Sequence, residues 1–314
     1  MQMFRCEPFT FGAWQAYRFF HPEAQHGFSL VPERGGLLLD LWLHGRSVLD
    51  GYREPAELDR LDWAKSAVLA PFPNRLADGR FSWQGESYRF PLNDVATGNA
   101  IHGFAWQSAM KMSEWLADAE QVRAVCRFDY AGDRSDFPFA FTLQIAFTLS
   151  VQGDFEVALL AQNEAATSMP LGVGWHPYFK LEWPVDELSL QLPPCEQIPV
   201  DQRMLPTGKR SPLHGFERAG SLREQEFDAC LALDPSPGMA KVEVAGPGAT
   251  LRYWQETGPK KFNYLQVFLP SHRRSIALEP MSCGVDAFNL EPEAVLLAPE
   301  EEVGGRFGVS LSVG

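Results

Sequence analysis

The sequence predicts an all-β protein, a large antiparallel β-sandwich with few short helices. Three observations carry that expectation. Apolar side chains recur with period two over long stretches, 26 glycines and 24 prolines punctuate the runs between them, and helical periodicity is scarce.

In chain order, the first short strand is Leu37 to Leu43. Glu54 to Lys65 is the one segment with a helical pattern, short and expected at the surface. Phe81-Ser82-Trp83 and Ser87-Tyr88-Arg89-Phe90 flank Gln84-Gly85-Glu86 and read as a hairpin. Val122 to Tyr130 is a further strand. The strongest signal follows, from Phe139 to Val151. Phe139, Phe141, Leu143, Ile145, Phe147, Leu149 and Val151 share one face, because side chains alternate along a strand. Gln152-Gly153-Asp154 supplies a turn, and Phe155, Val157, Leu159 and Ala161 resume the pattern. Leu188 to Leu192, Leu251 to Trp254, Tyr264 to Phe268 and Ser275 to Leu278 complete the set of short strands. No compositional break or fixed-period repeat divides the chain, so residues 1–314 read as one domain.

The formal net charge is −13. That field repels phosphate backbones and anionic lipid surfaces, so neither nucleic acid nor a membrane is an expected partner. Cys6, Cys126, Cys195, Cys230 and Cys283 are odd in number and scattered. They have no zinc-ligand spacing, and a disulfide framework and a metal site are both unexpected. The first residues lack a basic segment followed by an apolar one, and no apolar run is long enough to cross a bilayer, so the expected location is the cytoplasm.

Four polar clusters interrupt apolar or turn-rich settings. Asn74-Arg75 offers a planar cationic fork, suited to hydroxyls or a carboxylate, or else to bridging two loops. His102-Gly103 belongs at a strand end where the ring can face a cleft; a satisfied structural histidine is the alternative. In Gly174-Trp175-His176-Pro177-Tyr178-Phe179, the proline biases His176 towards an extended backbone. Trp175, Tyr178 and Phe179 supply flat faces that suit a sugar ring or a core corner. Glu279, at the end of an apolar strand and before Pro280, is expected to be partly buried, which raises a carboxyl pKa towards neutrality. The other reading is a carboxylate capping a loop or paired with an arginine. A histidine and a buried carboxyl together supply an acid and a base. GxSxG, HExxH, P-loop and dinucleotide-binding motifs are all missing.

Taken in order, Asn74-Arg75, His102-Gly103, His176-Pro177-Tyr178-Phe179, Glu279-Pro280-Met281 and Asp286-Ala287-Phe288-Asn289 resemble the motifs of the aldose 1-epimerase (galactose mutarotase) family. The resemblance covers nearly the whole length. It implies the galactose mutarotase-like supersandwich and a small-molecule aldose substrate, with no cofactor, in a monomer or homodimer. It also implies roles. Glu279 would be the base at the anomeric hydroxyl, His176 the acid at the ring oxygen, and His102 an assistant at that oxygen. Arg75 and Asn74 would hold hydroxyls with Asp228, the best match to the family's second acidic residue, while Trp175 and Tyr178 would flank the sugar. Phe104, where many members carry glycine, and Ser282-Cys283-Gly284-Val285 depart from the pattern and leave galactose or glucose preference open. Cys283 reads as a small buried residue rather than a nucleophile.

Three other readings fit parts of the pattern. A hexose-6-phosphate 1-epimerase would need a basic pocket, for which Lys260-Lys261 and Arg273-Arg274 are the available pairs. A non-catalytic carbohydrate-binding protein would have no need of an acid and a base together. A polysaccharide lyase would favour a basic cleft, which the sequence does not offer.

Overall fold

The long alternating run sits where its periodicity requires. In the computed structural model, which describes residues 2–314, Phe141–Ser150 pairs antiparallel with Gln121–Tyr130 on one side and Phe155–Asn163 on the other. Its odd-numbered residues are fully buried. These strands belong to a nine-stranded antiparallel sheet, with Lys111–Ala117 at one edge beside Gln121–Tyr130 and Glu302–Val313, Ala249–Thr257, Gly238–Gly246 and two short strands continuing it on the other side.

An eight-stranded sheet packs against it. Its centre is Ile276–Met281, flanked by Tyr264–Phe268 on one side and by Gly174–His176 and Tyr178–Phe179 on the other. Asp228–Ala232 pairs outside Tyr264–Phe268, and Ala67–Leu69 outside Gly174–His176. The two sheets meet through aromatic side chains. Trp175 stacks on Phe307 with centroids 5.3 Å apart, and Phe179 lies 6.2 Å from Tyr253. Such contacts give sheet packing its apolar driving force and fix the relative position of the layers.

A five-stranded sheet, Arg5–Phe11, Trp14–His21, His26–Val31, Leu37–Leu43 and Arg46–Ser47, lies beside this pair. Phe28 ties it to the core, 6.0 Å from Phe147 and 5.6 Å from Phe155. Its first three strands were not expected from the sequence, and neither was the strand Glu302–Val313. Glycines at 304, 305 and 308 dilute the alternation of that last strand. Gly304 is required there: φ is +120°, and a Cβ would lie 2.1 Å from the Leu159 carbonyl oxygen.

The helical expectation over Glu54 to Lys65 holds for its first half. Pro55–Arg60 is α-helical, but Leu61 takes the left-handed conformation and ends it. A 3₁₀ turn over Asp62–Ala64 follows, with Trp63 at φ 62°. The other α-helices, Ala287–Leu290 and Pro292–Val295, are single turns.

Candidate active site

The ladder of the eight-stranded sheet builds the floor of a cleft. Gly174 pairs with Met281 and Tyr178 with Ala277, so the two segments are in one register and His176 stands directly opposite Glu279. Between those pairs the chain carries Pro177 and Pro280, which have no N–H to contribute to the ladder. On the far side Glu279 pairs with Gln266, and Ala277 pairs with Phe268, which itself pairs with Asp228. Because residues i and i+2 share a face, two adjacent rows point the same way. One is His176, Glu279 and Gln266. The other is Tyr178, Ala277, Phe268 and Asp228. Tyr178 and Phe268 meet edge to face across the small, fully buried Ala277, with ring centroids 6.3 Å apart.

The wall comes from another short ladder, Asn99–Ile101 with Arg75–Ala77. Asn74 and His102, which flank it, have φ of 58° and 67°. The His102 N–H donates to the Asn74 carbonyl at 2.9 Å, locking the two turns together. Gly103 must be glycine, since at φ +60° a Cβ would approach the Ala70 carbonyl oxygen to 2.2 Å. Asp286 buttresses this wall from behind. Its backbone N–H donates to the Arg75 carbonyl, and its side chain accepts from the Ala77 N–H at 2.9 Å.

Asn74, Arg75, Ile101, His102, His176, Tyr178, Asp228, Gln266, Phe268 and Glu279 thereby enclose one cavity of about 120 Å³. His176 Nε2 and Glu279 Oε1 are 3.3 Å apart, and Glu279 is only 2% exposed. The His102 ring stands perpendicular to that of His176 at 5.2 Å, and Tyr178 stacks on His176 at 4.9 Å. The Asn74 amide donates to Gln266 at 3.2 Å, and Gln266 Nε2 donates to Asp228 at 2.6 Å. Arg75 Nε donates to Asp94 at 2.7 Å, which aims the rest of the guanidinium. Thr97 Oγ1 donates to the same Asp94 oxygen. The loop-bridging role considered for Arg75 and a place in the cleft are both realised.

Burial governs the proton affinities. It lowers His176 to about 4. It also lowers His102, with help from the neighbouring His176 and Arg75 charges. Glu279 is raised well above the usual carboxylate range by burial and by the Asp228 charge, against a partial opposing effect of Arg75. Asp228, at the exposed rim, is raised by desolvation against the cleft wall, an effect that Arg75 and Gln266 reduce. Loss of water thus disfavours the charged form of both facing partners, the carboxylate of Glu279 and the imidazolium of His176. The ring nitrogen Nδ1 of His102 is buried without a hydrogen-bond partner, so this cleft wall has donor or acceptor capacity to offer a ligand. Among the described residues, no three His, Cys, Asp or Glu side chains converge as metal ligands.

Seven of the eight residues expected in the site line this cavity. Trp175 does not. It lies between two residues of opposite parity to its own, so its ring turns into the core, 1% exposed, with Nε1 donating to the Ser66 carbonyl at 3.0 Å. Phe179 faces the core for the same reason. Gln266, Phe268, Ile101 and the Arg75-positioning Asp94 were not foreseen. Gln266 had a visible signal, a lone polar residue inside the apolar strand Tyr264–Phe268. Phe104 points away into an aromatic cluster, 4.9 Å from Tyr130. Cys283 is buried and its thiol pKa is raised by burial, the opposite of an activated nucleophile.

Residues 24–310 match the aldose 1-epimerase family model. The chain belongs to the aldose 1-epimerase family. It is 29% identical over 245 residues to the uncharacterized protein YihR of Escherichia coli, covering 73% of each chain. Galactose mutarotase of Rattus norvegicus is 26% identical over 191 residues, covering 59% of this chain and 51% of the rat protein. The chain thus spans about half the length of that enzyme. A galactose mutarotase-like protein from Clostridium acetobutylicum superposes with a TM-score of 0.84 at 20% identity, covering 99% of this chain and 98% of that one. Galactose 1-epimerase from Lactobacillus acidophilus gives 0.82 at 15% identity, with both chains fully covered. At these identities the two structures share the fold. Family membership makes the chain an isomerase-type protein of carbohydrate metabolism.

Proposed function

We propose that the cleft interconverts the α and β anomers of a free aldohexose by opening and reclosing the sugar ring. The observation that carries this reading is the opposed pair His176 and Glu279, 3.3 Å apart. Moving the pair's single proton from carboxyl to imidazole creates a carboxylate base and an imidazolium acid together. Glu279 then takes the proton of the anomeric hydroxyl while His176 protonates the ring oxygen, and the C1–O5 bond opens. Rotation about C1–C2 presents the other face of the aldehyde. Reversal of both transfers closes the ring as the other anomer and restores the pair. His102 supports the ring-oxygen side. Arg75, Asn74, Gln266 and Asp228 supply hydrogen bonds to hydroxyls, and Tyr178 and Phe268 offer apolar faces. The proposed setting is the cytoplasm; no described helix is long and apolar enough to cross a membrane.

The charge inventory favours a neutral sugar over a hexose 6-phosphate. Arg75 is the one Lys or Arg among the lining residues, it is already paired with Asp94, and two carboxyl groups share the cavity. The cations expected to serve a phosphate are elsewhere or engaged. Lys260 and Lys261 lie 3.9 and 4.0 Å from Glu301 and Glu256, and Arg273 bonds Asp186. The deciding experiment is polarimetry of pure α-glucose and α-galactose. Acceleration by the wild type that Glu279→Gln loses supports the reading. Affinity for a sugar without acceleration favours a binding protein.

A further inference from the structure

A second cavity, of about 590 Å³, lies on the five-stranded sheet and shares no residue with the cleft. Its size falls within the range of small-molecule sites. The register puts Phe9, Arg18, Phe20, Ser29, Asp40, Trp42 and Ser47 on one face of that sheet. The opposite face, with Phe19, Phe28 and Leu41, enters the core.

Trp42 forms the floor. A Cβ on the facing Gly27 would fall 2.2 Å from its Cζ2 atom, so glycine at 27 is what allows the indole to lie across the neighbouring strand. A flat aromatic surface held in this way suits the face of a ring-shaped ligand.

Three cations stand around it: Arg18, Arg53 and Lys180. Among the described residues, none has a carboxylate oxygen within 4.0 Å of its charged nitrogens. Arg18 instead lies over the Phe9 ring at 5.5 Å. The single lining carboxylate, Asp40, accepts from the Ser47 hydroxyl and the Leu41 N–H on its Oδ1 oxygen. Three cations, none with a carboxylate oxygen within 4.0 Å among the described residues, against one lining carboxylate, in a chain of net charge −13, make this a local reversal of the molecule's field. The hydroxyl of Ser29 adds a neutral hydrogen-bonding group beside the indole.

The geometry points to a second ligand site, on the face of the five-stranded sheet, for a hexose-sized sugar bearing one anionic group. The ring rests on Trp42, and Arg18, Arg53 and Lys180 take the phosphate or carboxylate. The site is separate from the chemistry of the cleft and does not depend on it.

Calorimetric titration of the full chain with glucose 6-phosphate, glucuronate, glucose and inorganic phosphate tests it. Arg18 and Arg53 are exposed, so Arg18→Glu/Arg53→Glu leaves the core untouched, and Trp42→Leu removes the platform without changing charge. At least one charged sugar is expected to bind, and the double variant to weaken it by about tenfold or more, the scale of lost charge-assisted hydrogen bonds. Trp42→Leu should weaken it too, whereas Glu279→Gln should not. The proposal is overturned if neither charged sugar binds at millimolar concentration, or if the double variant binds it as well as wild type does. Equal affinity for inorganic phosphate would overturn the sugar assignment. A dimer that Arg18→Glu/Arg53→Glu dissociates, with no sugar response, would overturn it by assigning this face to a second copy of the chain.

Discussion

Glu279 combines near-complete burial with an acidic neighbour, and His176 combines burial with no stabilising charge of its own. Their proton affinities move in opposite directions for the same physical reason, loss of water around the ionised form. In the proposed mechanism the active free form carries one proton on the pair, so kcat/KM is expected to trace a bell. Activity falls on the acid side as the imidazole of His176, lowered to about 4, gains a second proton. It falls on the alkaline side as pH rises through the raised Glu279 value and the pair's last proton leaves. A profile that instead turned down near the ordinary histidine range would contradict the assignment. Glu279→Gln is expected to reduce kcat by ~10²–10⁴-fold, the usual contribution of a positioned acid or base, with little change in sugar affinity. Asp94 acts at one remove. Asp94→Asn weakens the hold on Arg75, so KM should rise several-fold while kcat stays near wild type; a fall in kcat alone would assign Asp94 a different part.

The strand Ile276–Met281 organises the site because its register places each neighbour. Its alternation divides the molecule's two tasks, with Ala277, Glu279 and Met281 towards the cleft side and Ile276 and Leu278 towards the core. Ala277→Leu is expected to force the Tyr178 and Phe268 rings apart and abolish sugar binding in titration, and, because Ala277 is fully buried, to cost about 1–3 kcal/mol in chemical denaturation. Trp175→Ala should act on stability alone. It removes a large core side chain and strands the Ser66 carbonyl, at a cost of about 3–5 kcal/mol in chemical denaturation, and any folded protein should retain its KM. The sequence displayed the strongest strands, His102, His176 and Glu279, because local alternation and motif spacing record them. It did not display which face Trp175 would take until His176 was fixed as a cleft residue, after which parity decides it. Phe268 reaches the site through pairing with a strand ahead of it in the chain, and a pairing partner leaves no mark in a local pattern; Gln266, paired to the same strand, showed only as a polar residue in an apolar run. The five-stranded sheet was only partly legible, since Arg5–Phe11 puts the charged Arg5 and Glu7 on the same face as Phe9 and Phe11, with Cys6, Pro8 and Thr10 on the other.

At the scale of the whole molecule, the acidic surface sorts substrates before they arrive. A neutral aldose feels no net field, so its kcat/KM should be flat as salt is raised. Any turnover of glucose 6-phosphate should be slow in dilute buffer and rise with ionic strength, as screening shortens the reach of the field to about 10 Å at 0.1 M. A steeper salt response for glucose than for its phosphate would contradict the charge argument. The opposed placement of His176 and Glu279 has a wider consequence. Their separation is set by the distance between adjacent strands, a property of the peptide backbone, and not by the particular side chains packed beneath them. A lineage can therefore replace most of its core while the spacing between proton donor and acceptor is inherited unchanged. The same arrangement makes single-residue insertions in either strand lethal to the chemistry, because a shift of one position sends one partner through to the opposite side of the sheet.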